Sequence, residues 1–287
     1  MTTNTGRTIQ IYLPTGDPRG IRVADLTTRT VQATLIPQSQ LKVASDRAEL
    51  DQVAVYFLFG DSDNEAKPKA YIGQTEDVRN RLGRHSSEKD FWDTAVVITS
   101  KTQAFTPAHI RWLEWYCHQR AIEIGRFELE NTQNPREPFV TEPLRADCID
   151  AYENIGILLT ALGYPVFEEL RRPAMHQDWF VCCGPDAAGK GALTDDGFLV
   201  CKGSLCRVEV APSAVSTVES LRQKLLQSDV LKPHSDSQLI FEEDYVFGSP
   251  SSAAAVVLAR SANGWMEWKD DGGRTLHAVK RESGTGD

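Results

Sequence analysis

Apolar and polar positions change period several times along this chain, and each change marks an element. Thr8-Ile-Gln-Ile-Tyr-Leu13 alternates as a half-buried strand does and stops at the turn signal Pro14-Thr-Gly-Asp-Pro18. Gly20–Ala24 and Thr30–Ile36 read as two further strands, and Pro37–Asp46 as a short helix. Residues 1–50 are therefore expected to form a β-rich N-terminal extension, too short for a sizeable core of its own. Val53–Phe59 is almost wholly apolar, and Lys69–Ile72 and Thr94–Thr99 predict two more strands. The first two of these three can pair as an antiparallel hairpin across the loop Gly60–Pro68. Helices are predicted over about Glu76–His85 and Pro107–Gly125. The second has clear ends: Thr106 can cap it, Pro107 suits its first turn and Gly125 its C-terminal stop. Residues 51–140 thus read as one compact unit.

Beyond it, Leu144, Cys148, Ile149, Tyr152, Ile155, Leu158, Leu159 and Leu162 recur at spacings of three and four. That predicts a connecting amphipathic helix ended near Gly163 and Pro165, inside a helical linker over 141–177. Residues 178–280 read as a second domain, with strands at Trp179–Cys183, Gly197–Lys202, Leu205–Val210 and near Leu239–Phe241. Its helices are expected over Val215–Gln227 and after Ser249. Asn263–Lys269 reads as a turn into a final strand, and 281–287 as a disordered tail. Gly184-Pro-Asp-Ala-Ala-Gly-Lys-Gly191 almost spells a phosphate-binding loop, but Gly191 stands where a magnesium-binding hydroxyl is needed and no helix follows. A glycine-rich hairpin is the expectation there. The fold class predicted is α+β: a small central antiparallel three-stranded sheet flanked by helices, a β-rich N-terminal extension, and a second small α+β domain.

Composition narrows the function classes. A chain of 287 residues favours two domains, and no run approaches the roughly 18 apolar residues of a membrane helix. The N-terminus lacks the apolar segment of a signal peptide, so a cytoplasmic, non-membrane protein is expected. A net charge of −9 and a pI near 5.3 argue against a broad basic surface, while leaving room for a local basic cleft. None of the six cysteines forms a C-x-x-C pair, and the spacing of Cys182, Cys183, Cys201 and Cys206 suits no common zinc site. Reduced, mostly buried thiols are expected.

Candidate chemistry gathers between Tyr56 and Asn131. Arg81 and His85, four apart, share one helix face, while Val78 and Leu82 make a separate apolar stripe. Arg81 can therefore face a phosphate, whose oxygens its guanidinium fork matches. On the next helix Ile110, Leu113, Cys117, Ala121 and Ile124 form the buried stripe. At about 100° per residue, Glu114 falls at the edge of that stripe and Glu123 on the opposite side. A carboxylate at the rim of a core faces a cleft, where a divalent cation offsets its desolvation. Tyr56 and Tyr71 sit on neighbouring strands. A phenol of pKa about 10 is about 0.1% ionised at neutral pH, so a tyrosine base needs a cationic neighbour or a metal. His85 is a second candidate base, with the better intrinsic pKa.

Ala54-Val55-Tyr56, Tyr71-Ile72-Gly73, Arg81, His85, Glu114 and Asn131, in that order, resemble the motif series of the GIY-YIG nuclease superfamily over roughly residues 51–140. The first triplet departs from the family pattern, with Ala54 in place of glycine; Asn131 is the best match to the terminal asparagine and Asn134 the second. The resemblance implies a metal-dependent endonuclease that hydrolyses DNA phosphodiester bonds on double-stranded or structured DNA. Glu114 would hold one Mg²⁺ or Mn²⁺, Arg81 would neutralise developing phosphorane charge, and Tyr56, Tyr71 or His85 would take the proton of the attacking water. Asn131 would orient a ligand or the substrate backbone. The alternative is a catalytically inactive module of the same fold that binds nucleic acid or a protein partner. Phe198–Ser204, Phe247–Ala254 and Asn263–Lys269 resemble an uncharacterised domain often appended to such nucleases. Trp265, Trp268, Lys202 and Lys269 are its candidate nucleic-acid contacts, with a purely structural role for the tryptophans as the competing expectation.

Overall fold

A computed structural model describes residues 6–60, 67–169, 178–211 and 216–282. Contacts divide the chain into two compact units that meet in sequence after Glu169. Both are mixed, a largely antiparallel sheet packed with helices, which makes the fold α+β.

The first unit is built on a single seven-stranded sheet. Its strands are β1 (Ile9–Tyr12), β2 (Arg22–Leu26), β3 (Val31–Pro37), β4 (Ala54–Gly60), β5 (Lys69–Thr75), β6 (Thr94–Ser100) and β7 (Glu128–Leu129), in the order β1-β2-β3-β6-β4-β5-β7. The expected three-stranded heart is β6-β4-β5. Beside it β3 pairs with β6 along its whole length, Val31 opposite Ser100 and Pro37 opposite Thr94. The β-rich extension is thus continuous with the central sheet, because β6 would otherwise leave an apolar edge unpaired.

Alternation along the strands sends residues to two covered faces. Leu35, Phe57, Ile72 and Val96 lie under α3 (Pro107–Ile124) and α4 (Glu142–Ala161). Ile36, Tyr56, Leu58 and Val97 lie under the short α1 (Leu41–Ala44) and under α2 (Val78–Glu88). Helix α4 differs from its expected role as a connector: Cys148, Ile155, Leu158 and Leu159 are fully buried in the same core as α3. An apolar stripe that long has to be covered, and the sheet covers it. Residues 170–177 of the expected linker, 61–66 of the hairpin loop and 283–287 of the expected tail lie outside the described residues.

The second unit carries the strands β8 (Phe180–Gly184), β9 (Ala187–Thr194), β10 (Gly197–Val200), β11 (Leu205–Arg207), β12 (Leu231–Pro233), β13 (Gln238–Phe241) and β14 (Tyr245–Phe247). They run β12-β13-β11-β9-β10-β14, with β8 pairing β9. Helix α5 (Ser216–Gln227) precedes β12; Val215, its expected start, lies outside the described residues. Helix α6 (Pro250–Leu258) is capped by Ser249, whose hydroxyl accepts the Ser252 N–H at 3.1 Å, and buries Ala253, Ala254, Val256 and Val257. The glycine-rich segment is the β8–β9 hairpin, turning at Pro185-Asp186 with Asp186 at φ 53. The expected final strand is instead the short helix α7 (Gly264–Glu267), since the Asn263 side chain accepts the Trp265 N–H and starts a turn. Only Lys269 is left to bridge, to Val181 and Thr275. Among the described residues no helix is long and apolar enough to cross a membrane.

Candidate active site

The β4–β5 pair builds the floor. Tyr56 lies opposite Gly73, and a Cβ at Gly73 would overlap the Tyr56 phenol, so glycine is what lets that ring lie across β5. Ala54, where the motif departs from the family pattern, is fully buried on the same face as Tyr56, and its methyl group is accommodated there. Asp77 caps α2 by accepting the Asn80 N–H at 3.1 Å, which starts the helix two residues after the predicted Glu76. Arg81 and His85 then face the tyrosines. His85 Nε2 is 2.8 Å from the Tyr56 hydroxyl, and the Tyr71 ring stands 5.1 Å from the His85 ring and 6.1 Å from that of Tyr56. Tyr56 is completely buried and Tyr71 only partly so.

Glu114 reaches the same place from the opposite face of the sheet, around the open side of β5. Backbone groups of alternate residues on a strand point to the same edge. Along β5 that edge is closed in sequence. The Glu130 N–H donates to the Ala70 carbonyl at 2.8 Å. The Asn131 carboxamide then accepts the Ile72 N–H at 3.1 Å and donates to the Ile72 carbonyl at 2.7 Å. Finally the Gln74 N–H donates to the Glu114 carboxylate. Asn131, expected to orient a ligand, has both ends of its amide engaged in prolonging the sheet. The loop that follows it closes a cavity of about 460 Å³ lined by Tyr71, Glu114, Asn131, Asn134 and Arg136, among others.

The electrostatics separate the candidate groups. Burial, and then the neighbouring Tyr71, hold the Tyr56 phenol well above its ordinary value despite the pull of Arg81. Burial, and then the charges of Arg81, Lys89 and Arg84, push His85 down to about 4, so it is neutral at neutral pH. Burial raises the Glu114 carboxyl against the opposing Gln74 N–H and Arg81. Lys89 holds its ammonium 4.6 Å from the centre of the Tyr71 ring, a cation–π contact. Arg79, Arg84, Arg111 and Arg120 pair with Asp51, Glu88, Glu76 and Glu123. By contrast Arg81, Lys89 and Arg136 form no ion pair among the described residues; Arg81 acts on Glu114, the acid that lines the cavity, without pairing with it. Glu123 is, as expected, a surface charge.

Among the described residues no group of three or more His, Cys, Asp or Glu side chains gathers where it could hold a metal. One half-buried carboxylate on a polar cavity still fits a single hard cation whose other oxygens come from water and phosphate. Sequence reasoning missed Gln74, Lys89 and Arg136. Lys89 had a signal, four residues past His85 on the Arg81–His85 face. Arg136 had none, lying on an irregular loop. In the second unit Trp268 is wholly buried, 4.5 Å from the Phe198 ring and donating to the Pro250 carbonyl at 3.0 Å, so it is core and not a contact.

Residues 180–280 match a domain of unknown function, DUF4357. The match covers the second unit almost from end to end, and the sheet around α6 is the architecture of this DUF4357-like region. It does not extend to the cavity of the first unit. No curated protein and no solved structure matches the chain.

Proposed function

We propose that the first unit is a metal-dependent endonuclease of the GIY-YIG type that hydrolyses DNA phosphodiester bonds. What supports this reading is convergence: Tyr56, Tyr71, Arg81, His85, Glu114 and Asn131, spread over some eighty residues, gather around β5, and Tyr71, Glu114 and Asn131 line the cavity beside it. Glu114 would hold one Mg²⁺ or Mn²⁺, which when bound acidifies water and offsets phosphate charge. Arg81, which forms no ion pair among the described residues, would stabilise the charge that develops on the phosphorus centre. The tyrosine with access to the cavity is Tyr71, and in this reading it takes the proton of the attacking water. Tyr56 and His85, packed behind it, fix its ring. Asn131 acts indirectly, by holding the strand that carries Tyr71.

Nicking of a supercoiled plasmid in Mg²⁺ or Mn²⁺, against EDTA, tests the reading. Arg81→Ala and Glu114→Gln are each expected to lower the rate at least about a hundredfold, the scale of losing one charge-stabilising group, with circular dichroism unchanged. Wild-type nicking by Glu114→Gln in Mg²⁺ would sink the site assignment. Absence of nicking by the wild-type chain, with DNA still bound, would favour an inactive binding module.

A further inference from the structure

The DUF4357-like unit has one outward face on which two lysines form no ion pair among the described residues. Along β8, Phe180 and Cys182 are fully buried, so Trp179, Val181 and Cys183 are directed outward. Val181 pairs with Lys190 on one side and bridges to Lys269 on the other, with the Val181 N–H donating to the Lys269 carbonyl at 2.7 Å. This register sets Lys190, Val181 and Lys269 in one row, with steps of about 5 Å. The Lys190 ammonium sits 5.1 Å from the centre of the Trp179 ring, which places the indole on the same face. Both lysines are exposed, as is Val181 at 38%.

Neither lysine forms an ion pair among the described residues. Of the acids close in sequence, Asp178 pairs with Lys280 at 3.0 Å, Asp186 accepts from the Ser237 hydroxyl at 3.1 Å, Glu267 pairs with Arg260 at 2.7 Å and Asp270 with Arg274 at 2.8 Å, while Asp271, two residues from Lys269, forms no ion pair with it. Two ammonium groups beside an indole and a valine suit a polyanion that also carries flat apolar groups. A duplex hides the faces of its bases, and an acidic peptide would engage the lysines without the indole.

We propose that this face binds single-stranded nucleic acid, with phosphates on Lys190 and Lys269 and a base stacked on Trp179. The inference stands apart from the nuclease reading of the first unit. It replaces the buried Trp268 with Trp179 as the stacking residue.

The test is fluorescence anisotropy of a labelled oligothymidylate of about twenty nucleotides. It is titrated in EDTA with the full chain carrying Glu114→Gln, so that cleavage plays no part. The double variant Lys190→Gln/Lys269→Gln is expected to bind at least about tenfold more weakly. Its dependence of log affinity on log salt should flatten by about 1.4, two single-strand phosphate contacts at about 0.7 each. Trp179→Ala should weaken binding at least about fivefold with the salt slope unchanged, as loss of stacking without loss of charge requires. Thermal melts confirm folding, and the two exposed lysines supply the answer should the tryptophan variant melt early. Wild-type affinity in the lysine variant, no measurable binding at low salt, or polyglutamate competing as well as the oligonucleotide would each overturn the proposal. So would a duplex bound as tightly and with the same dependence on Trp179.

Discussion

Two phenols a few ångströms apart are asked to do different things, and their surroundings decide which does what. Tyr56 has no exposed surface and shares its hydroxyl with His85, whereas Tyr71 borders the cavity under the Lys89 ammonium. Tyr71→Phe is expected to lower nicking at least about a hundredfold while lowering the melting temperature less than Tyr56→Phe, because its hydroxyl, though bonded to that of Tyr56, is partly exposed. Tyr56→Phe should do the reverse in kind. It leaves His85 Nε2 buried without its partner, which costs about 1–3 kcal/mol of stability, and affects rate only through the placement of Tyr71. Paired melts and rate measurements on the two variants check the division. Equal loss of rate without loss of stability in both would refute it. His85 also ties stability to acidity. Its folded pKa of about 4 lies below the unfolded value of 6.5, so the unfolded chain binds the extra proton between them. The stability contributed by keeping the ring neutral is complete above pH 6.5 and is lost as the pH falls towards 4. A shift of roughly 2.5 at about 1.36 kcal/mol each makes that loss about 3 kcal/mol. Glu114, raised by burial, works in the opposite sense. The measurement is therefore made in a Glu114→Gln background, where His85→Gln should flatten the fall in melting temperature over that window.

At the level of elements, the helix after the compact unit is where reading and structure part. Ile155 on α4 is fully buried against the sheet, so Ile155→Ala is expected to destabilise the first unit by about 2–5 kcal/mol, as buried large-to-small changes do. A mere connector would tolerate the change within about half a kcal/mol, and a denaturant titration tells the two apart. The period of each segment was legible: β4, β6, α3 and α4 lie close to where their apolar spacing put them, and Thr106, Pro107 and Gly125 bound α3 as their chemistry requires. Partner choice was not. Nothing local in Val31–Pro37 says that it pairs with a strand some sixty residues later, because that pairing is settled by which edge needs covering. Strands of three residues, such as β12 and β14, are too short to show a period at all. The site divides in the same way. Arg81 and His85 on one face and Glu114 at a stripe's edge follow from helix geometry alone. That Asn131 and Glu114 would meet the backbone of β5 needed the tertiary arrangement. So did the requirement for Gly73, which exists only because Tyr56 crosses it.

For the whole molecule, net charge hides where unpaired cations stand. The chain is acidic overall, yet Arg81, Lys89 and Arg136 in one unit and Lys190 and Lys269 in the other form no ion pair among the described residues, while most other arginines have one. Under the proposed readings, repulsion from the remaining surface would confine contact with nucleic acid to a few points. The closure of β5 has a different consequence. A sheet edge with free N–H and C=O groups is a template for another chain, and here both groups of Ile72 and the N–H of Gln74 are occupied by side chains rather than by a neighbouring strand. Asn131 thus occupies backbone groups to which an added strand would bond. Asn131→Ala should make the protein associate with itself as its concentration rises, visible in light scattering before any loss of secondary structure, whereas Asn134→Ala, in the same loop, should leave it monodisperse. On that outcome, a site assembled on an edge strand by side chains that mimic a strand would also serve to keep copies of the chain apart.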